Sequence, residues 1–150
     1  MKKFAILSVV IFLFAGCTLT TKEYLKLAKF SQKKNQIPNA IMIYEKIYKE
    51  YPNSPEAPEA LYSLAKLYNE NRDLPRKLMG EKAIYYCNLI IENYKHTDYY
   101  LKAIYYKALV SQFKLKDYLT ATQLYHYLMN NYPNSRYSKM SQEMLDLMKN

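Results

Sequence analysis

The sequence has few of the residues that nucleotide, metal and disulfide chemistry require. Its 150 residues include two Gly, two Cys, two His and no Trp. Gly16 and Gly80 stand far apart, which excludes a glycine-rich phosphate loop and a dinucleotide-binding fingerprint. The Cys and His residues are also scattered and show none of the short spacings of zinc ligands. We therefore expect a chain without a metal or a cofactor.

Groups for catalysis are equally scarce. His96 lies in a predicted turn and His126 on a predicted helix, and neither has a nucleophile or a paired carboxylate nearby in the sequence. Acidic residues are spread singly, and pairs such as Glu56 and Glu59 suit the start of a helix. The sequence thus predicts that the protein is not an enzyme.

The N-terminal residues are typical of an export signal. Lys2 and Lys3 precede an apolar run over residues 4–14. A helix of that length rises roughly 16 Å, which is too short to span a hydrocarbon core of about 30 Å. The sequence therefore predicts a signal peptide over residues 1–16 that is cleaved from the mature chain.

The end of this signal resembles the lipobox of bacterial lipoproteins, because the small residues Ala15 and Gly16 stand directly before Cys17. The resemblance implies that Cys17 is lipidated and becomes the first mature residue, with residues 17–21 as a lipidated tether. Thr18 stands where an Asp would suggest retention at the inner membrane. We therefore expect attachment to the outer membrane, facing the periplasm. An ordinary signal peptide with an incidental Cys is the alternative.

The remaining chain is basic, with 22 Lys and Arg against 13 Asp and Glu in the full sequence. An exported protein rarely meets nucleic acid, so we expect this charge to favour anionic lipid, lipopolysaccharide or acidic protein surfaces. Lipidation of Cys17 would leave Cys87 without a partner for an intramolecular disulfide. We expect Cys87 to act as a small buried hydrophobic residue.

A short motif occurs three times along the chain. Residues 51–54 read Tyr-Pro-Asn-Ser, residues 132–135 repeat them, and residues 94–97 are a degenerate copy. An alanine stands eleven residues before each Tyr, and a second alanine lies further upstream in every unit. In chain order the pairs are Ala28 with Ala40, Ala65 with Ala83, and Ala108 with Ala121. The pairs predict two helices per unit, whose backbones approach closely where the alanines meet.

This spacing resembles the tetratricopeptide repeat, which places a small residue on each of two helices, then an aromatic residue and a Pro. The first unit has Ala28, Ala40, Tyr44 and Pro52, and the third has Ala108, Ala121, Tyr125 and Pro133 with one inserted residue. In the second unit Cys87 and Lys95 replace the aromatic residue and the Pro. A bundle of unrelated amphipathic helices is the alternative.

The resemblance implies an all-α solenoid of about three helix pairs with a C-terminal capping helix. Apolar residues at helical spacing independently predict helices near 20–35, 38–51, 55–70, 79–94, 98–115, 118–131 and 135–149. We place the repeat domain at 22–150, with units at about 22–53, 55–96 and 98–134 and the cap at 135–149.

The resemblance also implies that the first helix of each unit lines a concave groove. Counted from the small residue, the groove positions are Leu25, Lys29, Gln32, Tyr62, Lys66, Asn69, Lys102, Tyr105, Leu109, Gln112 and Phe113. A mixture of Tyr, Lys and amide side chains suits an extended peptide, through stacking, backbone hydrogen bonds and attraction to a carboxylate. A solvated inner face that binds nothing specific is the alternative.

The second unit also contains an insertion. Ala83 stands eighteen positions after Ala65, whereas Ala40 stands twelve positions after Ala28 in the first unit. We predict a long loop over residues 69–82, in which Arg72, Arg76 and Lys77 meet an acidic partner or anionic lipid headgroups. A tolerated surface insertion is the alternative. 

Among repeat lipoproteins, the sequence is similar to the BamD family, the lipoproteins of the outer-membrane barrel-assembly machinery. The lipobox at Cys17 and the motifs at 51–54 and 132–135 carry this similarity, although the family usually has more repeats. It implies a scaffold that binds a barrel-assembly partner and unfolded outer-membrane protein segments. The alternatives are a periplasmic adaptor for cell-envelope or division machinery, a pilotin-like lipoprotein, and an accessory subunit of an envelope enzyme.

Overall fold

The regular secondary structure of the protein is helical. A computed structural model describes residues 19–71 and 73–149, and within them it contains seven α-helices, one π-helical segment and no β-strand. The α-helices are α1 (Thr21–Lys33), α2 (Ile37–Glu50), α3 (Ala57–Glu70), α4 (Arg76–Asn93), α5 (Tyr99–Leu109), α6 (Tyr118–Asn131) and α7 (Arg136–Lys149). The π-helical segment, Val110–Leu115, continues α5 directly. The predicted all-α architecture is confirmed, whereas the signal peptide, Cys17 and Arg72 lie outside the described residues.

Local hydrogen bonds explain where several helices begin. The Thr20 hydroxyl accepts from the Glu23 N–H at 3.3 Å, and the Glu23 carboxylate accepts from the Thr20 N–H at 2.8 Å. These bonds cap α1 and hold the pKa of Glu23 below its usual value. The Asp117 carboxylate caps α6 by accepting from the Thr120 N–H at 3.0 Å. Helices α2 and α3 each carry a proline in the first turn. Backbone N–H groups in the first turn have no acceptor within the helix, so the N–H that proline lacks costs no hydrogen bond there.

The inserted residue of the third unit is absorbed by the π-helical segment. Two non-glycine residues in the described chain have positive φ, Asn35 at 56° and Lys116 at 61°, and each stands two residues before the second helix of its unit. Asn35 lies seven residues after Ala28, but Lys116 lies eight after Ala108. A π-helix bonds each N–H to the fifth residue back, so it takes in one extra residue and keeps the turn unchanged.

The repeat alanines meet where the helices cross. All six are fully buried: Ala28, Ala40, Ala65, Ala83, Ala108 and Ala121. Tyr44 and Tyr125, the aromatic residues of the repeat pattern, are also 0% exposed. Cys87 takes their place in the second unit, and its burial raises the pKa of the thiol to about 12. The expectation that Cys87 is a buried hydrophobic residue is therefore confirmed.

The connection in the second unit is shorter than the sequence predicts. Helix α3 ends at Glu70 and α4 begins at Arg76, so most of the predicted loop over 69–82 is helical, which corrects that prediction. Met79 and Gly80 are buried against the third unit, and a Cβ on Gly80 would lie 2.4 Å from Leu115 Cδ2. The inserted residues are helical because they extend α4, and this extension packs along the π-helical segment.

The helices stack as a curved array. Each helix packs against its neighbours along the chain, and the first helices of successive units also contact one another, α3 with α5 and α5 with α7. Contact between α2 and α4, or between α4 and α6, is less extensive in the described chain. The odd-numbered helices therefore lie on the inner side of the curve, which we call the inner face.

Helix α7 closes the array. Tyr137 and Leu145 are buried against α5 and α6. Its exposed side is mainly polar, although Leu147 is 67% exposed there; Gln142 donates to Asp146 at 3.0 Å and Lys149 donates to Asp146 at 2.9 Å. Such a surface suits the end of a solenoid, where a further apolar face would have no neighbour. Among the helices described, none is long and apolar enough to cross a membrane.

Candidate binding site on the inner face

Four side chains from α3 and α5 form a group that we call the inner-face cluster: Tyr62, Tyr99, Lys102 and Tyr106. The ring centroid of Tyr62 lies 5.9 Å from that of Tyr99 and 5.4 Å from that of Tyr106. Lys102 Nζ lies 4.4 Å from the centroid of the Tyr62 ring and 5.0 Å from that of Tyr99. The negative ring faces attract the ammonium, so the cluster holds a positive charge within an aromatic surface.

Burial affects both the lysine and the tyrosines of the cluster. Desolvation lowers the pKa of Lys102, and the charges of Arg136 and Lys66 act in the same direction, while Glu59 opposes them. Burial is also the main cause that raises the pKa of each of the three tyrosines. The phenol groups are therefore neutral hydrogen-bonding groups at pH 7.

Near the cluster Lys29, Lys66, Lys102 and Arg136 stand against the carboxylates of Glu59, Glu70 and Asp98, a small excess of positive charge. Lys29 on α1 pairs with Glu59 on α3 at 2.5 Å, which neutralises that carboxylate. Lys66 is half-buried, and the described residues give it no ion-pair partner. Arg136 on α7 lies with its guanidinium carbon 4.7 Å from the Tyr137 ring centroid. The arrangement suits a ligand that brings a negative charge of its own.

The structure brings together five of the residues that the repeat register assigns to the groove: Lys29, Tyr62, Lys66, Asn69 and Lys102. Three take part in contacts between helices α1, α3 and α5, as described above for Lys29, Tyr62 and Lys102. The Asn69 side-chain amide donates to the Tyr106 hydroxyl at 3.0 Å and so orients one ring of the cluster. Whether this surface binds a peptide stays a prediction.

Tyr105 and Gln112 do not lie on the accessible surface. Tyr105 is 8% exposed, with its ring 6.0 Å from that of Tyr125 and 5.7 Å from that of Tyr137. Gln112 is 6% exposed and accepts from the Tyr125 hydroxyl at 2.7 Å. Helix α7 and the π-helical segment place both residues in the core, so their assignment to an open groove is corrected.

The first unit repeats this arrangement. Gln32 accepts from the Tyr44 hydroxyl at 3.1 Å, at the position equivalent to Gln112. Leu25 is buried in the core. The amide at the end of a first helix therefore satisfies the tyrosine hydroxyl of the second helix, and in these two units it serves packing and not ligand binding.

Phe113 lies at the other end of α5, beyond the cluster. It is 52% exposed and lines a cavity of about 430 Å³ with Leu109, Tyr106 and Asn69. The cavity extends the inner-face cluster towards the start of α4 and adds an apolar wall. Phe113 is thus an exposed aromatic residue next to the cluster, as the repeat register predicts for its position.

Arg76 is engaged within the protein. Its guanidinium donates to the carbonyl oxygens of Lys114 at 2.9 Å and of Phe113 at 2.5 Å. Lys77 pairs with Glu81, one turn further along α4, at 3.8 Å. The carbonyls at the end of the π-helical segment thus engage two of the donors of Arg76, and a contact of Arg76 and Lys77 with an acidic partner or lipid stays a prediction.

We expect Arg76→Ala to lower the free energy of unfolding by about 1 kcal/mol, because it leaves two carbonyls of the π-helical segment without their donors. Lys77→Ala is the matched control, since the exposed pair with Glu81 is worth little. Urea unfolding followed by circular dichroism gives both values. Hydrogen exchange of the amides at 114–117 should quicken in Arg76→Ala alone. Equal exchange in the two variants would show that Arg76 does not hold this segment.

The repeat register overlooks Tyr99, Tyr106 and Arg136. Tyr99 and Tyr106 stand three residues before and four after Lys102, so they share a helix face with it. That spacing was the available signal for both tyrosines. Nothing in the local sequence places Arg136 near α5, because its position depends on how α7 packs. Among the described residues, no group of His, Cys, Asp and Glu is arranged to hold a metal ion.

Two stretches of the chain, residues 24–54 and 102–135, match the family model for the tetratricopeptide repeat. They coincide with the first and third units, which keep the aromatic residue and the Pro of the repeat pattern. The second unit, with Cys87 and Lys95 at those positions, lies between them. A comparison with curated proteins finds no match. The matches support the tetratricopeptide-repeat family, whose stacked helices typically form non-enzymatic scaffolds for protein–protein interaction.

Proposed function

We propose that this tetratricopeptide-repeat chain is a lipid-anchored periplasmic scaffold of outer-membrane protein assembly, similar to BamD. In this proposal Cys17 carries the lipid anchor at the outer membrane. The repeats bind a barrel-assembly protein, and the inner face receives a segment of an unfolded outer-membrane protein. The protein acts by holding its partners and performs no chemical reaction on them.

The observation that carries the proposal is the inner-face cluster on a tetratricopeptide-repeat solenoid. Tyr62 and Tyr99 offer ring surface, while Lys102 and Lys66 offer positive charge. Strands of outer-membrane barrels alternate apolar and polar residues and carry aromatic residues at the membrane interfaces. An unfolded strand with an aromatic side chain and a carboxylate fits such a surface through stacking and charge-assisted hydrogen bonds.

The sequence before the repeats supports the location. The basic start, the apolar run over 4–14 and the small residues before Cys17 match the order of parts in a lipoprotein signal. Several acyl chains on Cys17 would make membrane attachment stable, because each buried methylene contributes about 0.8 kcal/mol. Loss of the anchor in a Cys17→Ala variant should move the protein from the membrane to the soluble fraction.

An affinity pull-down from detergent-solubilised membranes tests the partner. We expect the wild-type protein to recover a barrel-assembly component. The variant that combines Tyr62→Ala with Lys102→Ala should recover at least ten-fold less of the unfolded outer-membrane protein segment than the wild type does. Tyr85→Ala combined with Lys82→Ala is the matched control, because both side chains are exposed on α4, away from the inner face. Circular dichroism must show equal helical content in both variants.

Three outcomes contradict the proposal. Recovery of partners without any barrel-assembly component would remove the assignment to that machinery. Equal loss of the substrate segment in both double variants would remove the inner face as its binding site. A wild-type protein whose mass shows no acyl chains on Cys17 would remove the lipid anchor. Each outcome concerns a different part of the proposal.

A further inference from the structure

The outer side of α1 has no neighbour in the described chain. Helix α1 packs mainly on α2, through Leu25, Ala28 and Ser31. On the opposite side Phe30 is 56% exposed and Leu27 is 42% exposed. A single exposed apolar residue needs no explanation. Two large ones one turn apart on the first helix of the array are the basis of the inference below.

Positive charge surrounds these two apolar side chains. Lys22, Lys26 and Lys33 are exposed and stand at helical spacing from Phe30, on the same side of α1. Lys34, the residue after the helix, lies with its Nζ 5.6 Å from the Phe30 ring centroid. Together they form a surface that we call the outer α1 face: Lys22, Lys26, Leu27, Phe30, Lys33 and Lys34.

One carboxylate opposes this charge on α1, that of Glu23, which interacts with Lys26, so the four lysines of the face exceed it by three charges. Glu23 is the one acidic residue of the helix, and its carboxylate accepts from the Thr20 N–H and the Thr20 hydroxyl at 2.8 and 2.9 Å. Lys29 stands at the edge of the same lysine stripe, three residues after Lys26, and pairs with Glu59 on α3. The outer α1 face is therefore cationic with an apolar centre, which is the pattern of helices that lie on anionic membranes.

The chain also holds this face close to the proposed anchor. Thr21, the first residue of α1, stands four positions after Cys17, with three residues between them. Even fully extended, such a length of chain reaches about 14 Å. If Cys17 carries the lipid, as the proposed function requires, α1 is the part of the repeat domain that lies nearest the bilayer.

We propose that the outer α1 face docks on the anionic phospholipid headgroups of the bilayer that holds the anchor. The lysines contact phosphate groups, while Phe30 and Leu27 enter the boundary between headgroups and acyl chains. The composition favours lipid over a protein partner, because the core of a protein interface is depleted in lysine. Docking fixes the orientation of the solenoid, so that the array extends away from the membrane from its first unit.

The absence of Trp from the sequence provides a clean test. Phe30→Trp places the only indole of the full chain on the outer α1 face, and Leu147→Trp places it on α7 at the far end, where Leu147 is 67% exposed. Both proteins are mixed with vesicles of phosphatidylethanolamine and phosphatidylglycerol whose acyl chains carry bromine. We expect the indole of Phe30→Trp to be quenched at least three-fold more strongly and to shift its emission to shorter wavelength.

Charge is tested in the same background. Lys22→Gln, Lys26→Gln and Lys33→Gln together should reduce the quenching of the Phe30→Trp protein by at least half, whereas Lys139→Gln, an exposed lysine on α7, should not. Vesicles of phosphatidylcholine alone should give the same reduction. Equal quenching of the indoles at positions 30 and 147 would overturn the proposal. Quenching at position 30 that stays the same after the three lysine substitutions would also overturn it. So would protection of the Phe30→Trp indole by a co-purifying protein in place of lipid.

The mass of the same preparation reports whether Cys17 carries acyl chains. A mass without acyl groups disproves the anchor. Docking of the outer α1 face is then measured separately, through the quenching of the indole at position 30 at a large excess of vesicles. Acylated chains whose indole at position 30 is not quenched disprove docking and leave the anchor intact. The two failures are therefore distinguishable.

Discussion

Tyr125→Ala lowers the free energy of unfolding by about 3–5 kcal/mol, the largest loss that we expect from a single substitution. Tyr125 is 0% exposed, its ring lies 6.0 Å from that of Tyr105, and its hydroxyl donates to Gln112 at 2.7 Å. Truncation leaves a cavity between α5 and α6 and an amide oxygen without its donor. Urea unfolding followed by circular dichroism at 222 nm measures the loss.

Two variants of the same helix separate these contributions. Tyr125→Phe keeps the ring and removes the hydroxyl, so it should cost about 1–2 kcal/mol through the unpaired oxygen of Gln112. Tyr118→Ala, at a residue that is 50% exposed, should change the stability by less than about 0.5 kcal/mol. If Tyr125→Ala costs no more than Tyr118→Ala, the third unit is not packed as the structure describes.

Alkaline unfolding is the second large effect that we expect. Burial raises the pKa of Tyr62 and Tyr125 above the usual value and that of Tyr106 to about 12. In the unfolded chain these groups ionise near pH 10, before they do so in the folded protein. A raised folded pKa contributes stability that is complete below the unfolded pKa and is lost as the pH rises towards the folded one.

The stability should therefore decline above about pH 9, where the thiol of unfolded Cys87 begins to ionise, and fall more steeply above about pH 10. We expect a cooperative loss of ellipticity between about pH 10 and 12, in the same transition as the rise of phenolate absorbance at 295 nm. Tyr62→Phe should move the midpoint to higher pH, and Tyr118→Phe should leave it unchanged. Complete phenolate formation without loss of ellipticity would contradict this account.

Residue spacing was sufficient to predict the helices and their pairing. Alanines at repeated intervals predict close helix crossings, and all six alanines are buried in the structure. Tyr44 and Tyr125 follow their alanines by one helical turn, which puts them in the same interior. Spacing reports these features because a helix repeats every 3.6 residues, whatever lies beyond it.

The candidate site was predictable only in part. Lys29, Tyr62, Lys66 and Lys102 lie on the inner face, as counting from the small residue predicts. Counting could not show that α7 covers Tyr105, because helix periodicity gives a direction and not the neighbour that stands there. The spacing of Tyr99 and Tyr106 from Lys102 indicates a shared face of α5, but only the packing of α3 on α5 shows that both meet Tyr62.

The two insertions show the same limit. An extra residue after Ala108 and the longer spacing from Ala65 to Ala83 are both visible in the sequence. Read separately, they predict an irregularity and a surface loop. In the structure they meet, because the extension of α4 lies along the π-helical segment and Arg76 bonds to its last carbonyls.

From the sequence follow the all-α class, the helix pairs and their small-residue crossings, because each depends on periodic spacing within a few turns of helix. The tertiary structure alone decided which inner-face residues remain accessible, that Tyr62 of α3 packs on Lys102, and where Arg76 directs its donors. Those outcomes depend on contacts between different helices, such as Tyr105 with Tyr137, Asn69 with Tyr106 and Arg76 with Phe113. Local spacing carries no information on such contacts, since they form only when whole units stack.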